Sequence, residues 1–165
     1  MSVPSDVQVV RLVLDHYANR GLLRNVRTTP TVGVTTLFQF TWHYNRTFDL
    51  LVDCAASRME FTGAFPNVSP LSAISLGLSQ YIEAMMSENV PIHRRIDRRK
   101  TVVSRAHSGT DVSIVASIAD GDFDYAARRL IQVVNEIYVD FLPNSSHYEY
   151  QVESLGLNPG TITFV

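Results

Sequence analysis

A length of 165 residues can bury a core without disulfides or metal. A composition of 45% apolar and 18% charged residues is that of an ordinary globular domain, with no apolar run near the ~18 residues of a membrane span. The net charge of −2 gives no overall pull toward nucleic acid or anionic lipid, and one cysteine, Cys54, excludes an internal disulfide framework and a multi-cysteine metal site.

The first residues, from Met1 to Asp6, lack the basic-then-apolar layout of a signal peptide, so a cytoplasmic location is expected. Ser5 followed three residues on by Gln8 predicts a capping box, and Val9, Val10, Val13 and Tyr17 then share one helical face. Gly21 is the predicted stop. Residues 31–44 change to a period of 2. Phe38, Phe40, Trp42 and Tyr44 line one side of a predicted strand that packs as core beneath a helix. Phe48, Leu50, Val52 and Cys54 continue on a second strand, with Asp49 and Asp53 outward. Met59, Phe61 and Phe65 mark a third, with a bulge expected at Gly63.

Ser69 and Pro70 read as the cap and first residue of a second helix. Its apolar stripe is Leu71, Ile74, Leu78, Tyr81, Ile82 and Met85, with Met86 extending it sideways. Residues 92–106 read as extended, His107 to Thr110 as a turn, and Val112, Ile114, Ala116 and Ile118 as a fifth strand. Asp122 caps a third helix that carries Ala126, Leu130, Val133, Val134, Ile137 and Phe141 and stops at Pro143. The fold class is therefore α+β, with a five-stranded antiparallel sheet in the order α-βββ-α-ββ-α. Residues 1–143 form one domain. Residues 144–165 form a polar tail, either mobile or adding an edge strand at Thr161 to Val165.

Few motifs carry chemistry. The five histidines, His16, His43, His93, His107 and His147, have no zinc spacing. Cys54 reads as a small hydrophobe on its strand face. Asp49 and Asp53 lie about 13 Å apart by strand rise, too far to share a proton, and read as a solvated face. No glycine pattern makes a phosphate loop. These readings give no catalytic residue, no cofactor and no metal. The sharpest local signal is basic. Arg94, Arg95, Arg98, Arg99 and Lys100 place five of the fourteen Lys and Arg residues within seven positions, and Arg105 continues the patch. On a strand it would serve as a charged edge. It would also fit an acidic partner segment or a second subunit; nucleic-acid phosphates are a weaker fit without interleaved aromatics. Tyr81, Met85 and Met86 read first as core packing, and are the candidates for a dimer interface or groove.

The layout of residues 5–142, carried best by residues 71–142 with their Met-bearing helix, charged hairpin and closing helix, resembles the type III secretion chaperone fold. YbjN-like bacterial proteins share that fold. The resemblance is one of topology without an invariant motif. It implies a homodimer, a sheet packed on helices and a polypeptide partner, and it supplies no catalytic residues. The chain lacks the strongly acidic composition of the secretion chaperones, which turns the expectation toward the YbjN-like branch. Two other functions stay open. One is a small-molecule pocket between sheet and helices, with His43 and Asp49 converging across the first hairpin. The other is nucleic-acid binding through residues 94–105.

Overall fold

Ser5 opens α1 (Asp6–Asn19) through the predicted capping box. Its Oγ accepts the Gln8 N–H at 3.2 Å, and Gln8 Oε1 accepts the Ser5 N–H at 3.1 Å. Val10, Val13 and Leu14 are buried, and Gly21 takes φ +77 just past the helix end, a conformation cheap only for glycine. This computed structural model describes residues 5–30, 33, 35–143, 150, 154 and 155.

Among the described residues the sheet has six strands rather than five: β1 (Arg24–Pro30), β2 (Thr35–Thr41), β3 (Thr47–Asp53), β4 (Arg58–Phe65), β5 (Thr101–Ser108) and β6 (Asp111–Ile118). All neighbours are antiparallel, in the order β1-β2-β3-β4-β6-β5. The extra strand is β1. A bulge between Arg24 and Arg27, with Asn25 at φ +56, removes the alternation by which a strand is read from sequence. Strand β2 ends at Thr41, earlier than expected. Residues His43–Asn45 form a 3-10 turn, and Tyr44 at φ +56 leaves the aromatic row. The bulge at Gly63 is present: register shifts between Phe61 and Phe65, and the Gly63 N–H donates to Ser113 Oγ at 3.0 Å.

One face of the sheet carries the core. Phe38, Phe40, Phe48, Leu50, Val52, Met59 and Phe61 are buried there with residues from all three helices. Phe40 meets Phe61 edge-on at 5.9 Å. The opposite face carries Leu37, Gln39, Asp49, Leu51, Asp53 and Glu60, all half-buried. Asp49 accepts from Gln39 Nε2 at 3.0 Å, and Asp53 accepts the Ala56 N–H at 2.9 Å.

The second helix, α2 (Ala73–Met85), starts later than its sequence suggests. Ser72, not Ser69, is the cap, with its Oγ accepting the Ser75 N–H at 3.2 Å. Leu71 thereby falls outside the helix and is 88% exposed. The third, α3 (Phe123–Glu136), starts at the predicted Asp122 cap. It then passes into a π turn, Ile137–Phe141, where the Leu142 N–H donates to Ile137 O at 2.8 Å. The turn brings Phe141 onto α2 at Gly77, where an added Cβ would lie 3.0 Å from the Phe141 ring.

Residues 91–100 are not extended. Pro91 O accepts the N–H groups of Arg94 and Arg95, and Asp97 O accepts those of Lys100 and Thr101. These local bonds coil the segment into successive turns before β5 begins. From the tail, Tyr150 and Leu155 are buried, and the Tyr150 hydroxyl donates to Pro66 O at 2.8 Å. The added strand expected at 161–165 lies outside the described residues.

Candidate functional site

The basic stretch splits once it is folded into turns. Three of its cations are held by carboxylates of the same chain. Arg98 pairs with Glu83 at 2.6 Å, Arg99 with Asp97 at 3.2 Å, and Lys100 with Asp120 and Asp122 at 2.8 and 3.0 Å. Hydrogen bonds from Arg99 hold the Asp97 carboxyl below the usual carboxylate range, and those from Lys100 do the same for Asp120. Hydrogen bonds to Asp120 and Asp122 push the Lys100 amine up. The three cations Arg98, Arg99 and Lys100 are therefore offset by four carboxylates, Glu83, Asp97, Asp120 and Asp122.

The uncompensated charge lies on either side. Arg95 donates to the carbonyls of Val90 and Glu88, both at 3.1 Å, and has no carboxylate partner among the described residues. Arg129, from α3, donates to the carbonyls of His93 and Arg94. Its guanidinium also lies over the Tyr125 ring, 5.2 Å from the centroid, with Lys100 over the same ring at 5.1 Å. Arg94 is exposed and has no ion pair among the described residues. Arg95 and Arg129 thus form one positive centre, while Arg94 lines a neighbouring cleft with Arg129 and Glu136.

That centre borders a cleft of about 500 Å³ between the turns and α3, lined by Met86, Ile92, Arg95, Arg98, Tyr125 and Arg129 among others. Ile92 is 80% exposed at its rim. Sequence reasoning missed Arg129, Tyr125 and Ile92. The i, i+4 spacing of Tyr125 and Arg129 on α3 was the available signal for the first two. Arg105 is not part of this centre. It lies on β5, facing α2 across a separate cleft.

Tyr81, Met85 and Met86 pack against their own chain. The Tyr81 hydroxyl donates to Asp140 Oδ2 at 2.5 Å, and its ring meets Phe141 at 5.3 Å. Burial, followed by the Asp140 hydrogen bond, pushes the Tyr81 hydroxyl up. Met85 is half-buried, and Met86 is 5% exposed within the core.

The convergence of His43 and Asp49 does not occur. Asp49 faces the side of the sheet opposite the helices. His43 stacks on Tyr138 at 4.5 Å, on the helix side, with Nε2 3.1 Å from Asn135 Oδ1. Burial lowers its pKa to about 4. Cys54, just past β3, is half-buried. Burial, then Asp6 and Asp53, push its thiol up, opposite to what a nucleophile needs. Among the described residues no three His, Cys, Asp or Glu side chains converge as a metal site. No described helix is long and apolar enough to cross a membrane.

The sheet edges complete the geometry. The edge at β1 is bulged and ends at Pro30, which has no N–H to offer. The edge at β5 runs in unbroken register with β6 from Thr101 to Ser108. The Ala119 N–H donates to Lys100 O, so the ladder bonds fall on even-numbered β5 residues. The N–H and C=O groups of Val103, Arg105 and His107 consequently point away from the sheet, with no strand beyond them among the described residues. No protein family, curated protein or solved structure matches this chain.

Proposed function

We propose that this protein is a non-enzymatic interaction module that binds a polypeptide partner carrying an acidic segment. The observation behind this reading is the centre formed by Arg95 and Arg129, two guanidinium groups without carboxylate partners among the described residues, beside exposed Ile92, with exposed Arg94 on the neighbouring cleft. Acidic side chains of the partner meet the guanidiniums, and an apolar side chain covers Ile92. The free β5 edge next to α2 can hold the partner in extended form by main-chain hydrogen bonds. A homodimer and a chaperone-like or YbjN-like role belong to the same proposal, at the level of the resemblance in layout.

Fluorescence anisotropy with a labelled peptide of alternating Glu and Leu tests it. Binding is expected at low salt and weakens as salt rises. Arg94→Glu, at an exposed position, is expected to weaken it by about tenfold or more. A Lys and Leu peptide and oligo-dT serve as the comparisons. No binding of the acidic peptide at low salt would sink the reading, and tighter binding of oligo-dT would replace it with nucleic-acid recognition.

A further inference from the structure

One line of inner-face residues crosses the sheet in register: Thr28, Phe38, Leu50, Phe61, Ile114 and Arg105. Its middle members are core hydrophobes. At the β1 end, Thr28 Oγ1 accepts from Arg11 at 2.6 Å. At the β5 end stands Arg105, half-buried against α2, where an aliphatic residue would complete the pattern. Its Nε is buried without a hydrogen-bond partner. It has no ion pair among the described residues. The carboxylate that shares its cleft, Glu83, is already held by Arg98 at 2.6 Å.

The rest of the strand shows the same incompleteness. Among the described residues, the buried side-chain atoms without partners are Thr101 Oγ1, Arg105 Nε and His107 Nδ1. All three belong to alternate positions of β5, on the side that faces α2. Each such atom carries a desolvation cost that its surroundings do not offset. The cleft beside Arg105, about 240 Å³ and lined also by Ser79, Ile82 and Val103, has room for a carboxyl group.

We propose that the cleft between α2 and β5 is a carboxylate-binding subsite centred on the Arg105 guanidinium, separate from the Arg95 and Arg129 centre. The partner class rests on the polypeptide reading above: an Asp or Glu side chain of the bound segment enters the cleft. A monoanion fits better than a dianionic phosphate, because Glu83 contributes a negative charge to the same walls. The guanidinium presents its outer N–H groups, whose planar fork matches a carboxylate.

The test is a side-chain amide NMR titration that follows the Arg105 Nε–H signal of the full chain at constant ionic strength. Sodium acetate, the Glu and Leu peptide and inorganic phosphate are the three probes. A shift of the Arg105 signal with acetate identifies a site open to free acids. A shift with the peptide alone identifies a site for chain-borne carboxylates. Either outcome supports the subsite; no shift with acetate or peptide, or a response to phosphate alone, overturns it. Peptide affinity is then compared between the native chain and Arg105→Gln, with circular dichroism confirming that the variant is folded and Arg105→Lys as a charge-keeping control. A loss of about tenfold in the glutamine variant, partly restored by lysine, is expected. Undiminished peptide binding by Arg105→Gln overturns the subsite and leaves the proposed function standing. A peptide that binds neither protein removes the proposed function instead.

Discussion

His43 shows how a buried histidine can set a pH limit. The folded protein holds it neutral against Tyr138 and Asn135, with a pKa lowered to about 4 from an ordinary 6.5. Between those values the unfolded chain binds a proton that the folded chain refuses. Stability from this group is therefore full above about pH 6.5 and is lost as pH falls toward 4. The expected loss is on the order of 1–3 kcal/mol. Urea titrations of the native chain and His43→Gln across that range should show the difference between them shrinking as pH falls. A constant difference would mean that His43 is not held neutral. Met86 makes a second prediction at this scale. Since it is buried in its own core, Met86→Glu should cost more than about 3 kcal/mol in thermal or urea unfolding, and should not yield a stable folded monomer. A variant near native stability would return Met86 to the surface, and with it the interface reading.

At the scale of elements, the start of α2 is a sharp test. Ser72→Ala removes the side chain that accepts the Ser75 N–H, and should cost about 1 kcal/mol. Ser69→Ala should change stability by less than about 0.5 kcal/mol, because only the Ser69 carbonyl is used, accepting from Ser72. The reverse order would restore the cap read from the sequence. This pair also shows what was legible. Two Ser positions three residues apart both satisfy capping rules, and Pro70 favours the first. Tertiary packing decides for the second by placing Ser75 and Leu78, rather than Leu71, against the sheet. Helix α1, with its reciprocal cap, and α3, with Asp122, have local signals that packing does not contradict. Strand β1 has none, since its bulge and polar residues erase the alternation. The basic segment was legible as charge and not as shape. Turn bonds from Pro91 and Asp97 are main-chain interactions with no side-chain period to announce them. Arg129 lies some thirty residues further along α3, so its part in the positive centre needed the fold.

For the whole molecule, the division into a domain and a tail is the claim most easily measured. Tyr150 and Leu155 are buried in the same core as the sheet and helices. Ending the chain after Pro143 should lower unfolding stability by about 2–5 kcal/mol, the value of burying two large side chains. Tyr150→Phe, which removes only the hydrogen bond to Pro66 O, should cost about 1 kcal/mol. A truncated chain as stable as the full one would make the last residues dispensable to the core. The unequal sheet edges carry a further consequence, for assembly. Two copies that joined along β5, in place of an extended partner segment, would use both regular edges at once and leave the bulged β1 edges outward. Growth would stop after a single two-fold step, so the product would be a closed pair and not a fibre. A lysine at exposed Val102 should then lower the mass seen by light scattering to that of one chain, without unfolding it. Among the described residues, the edge that invites a neighbour would also be the one that ends the assembly.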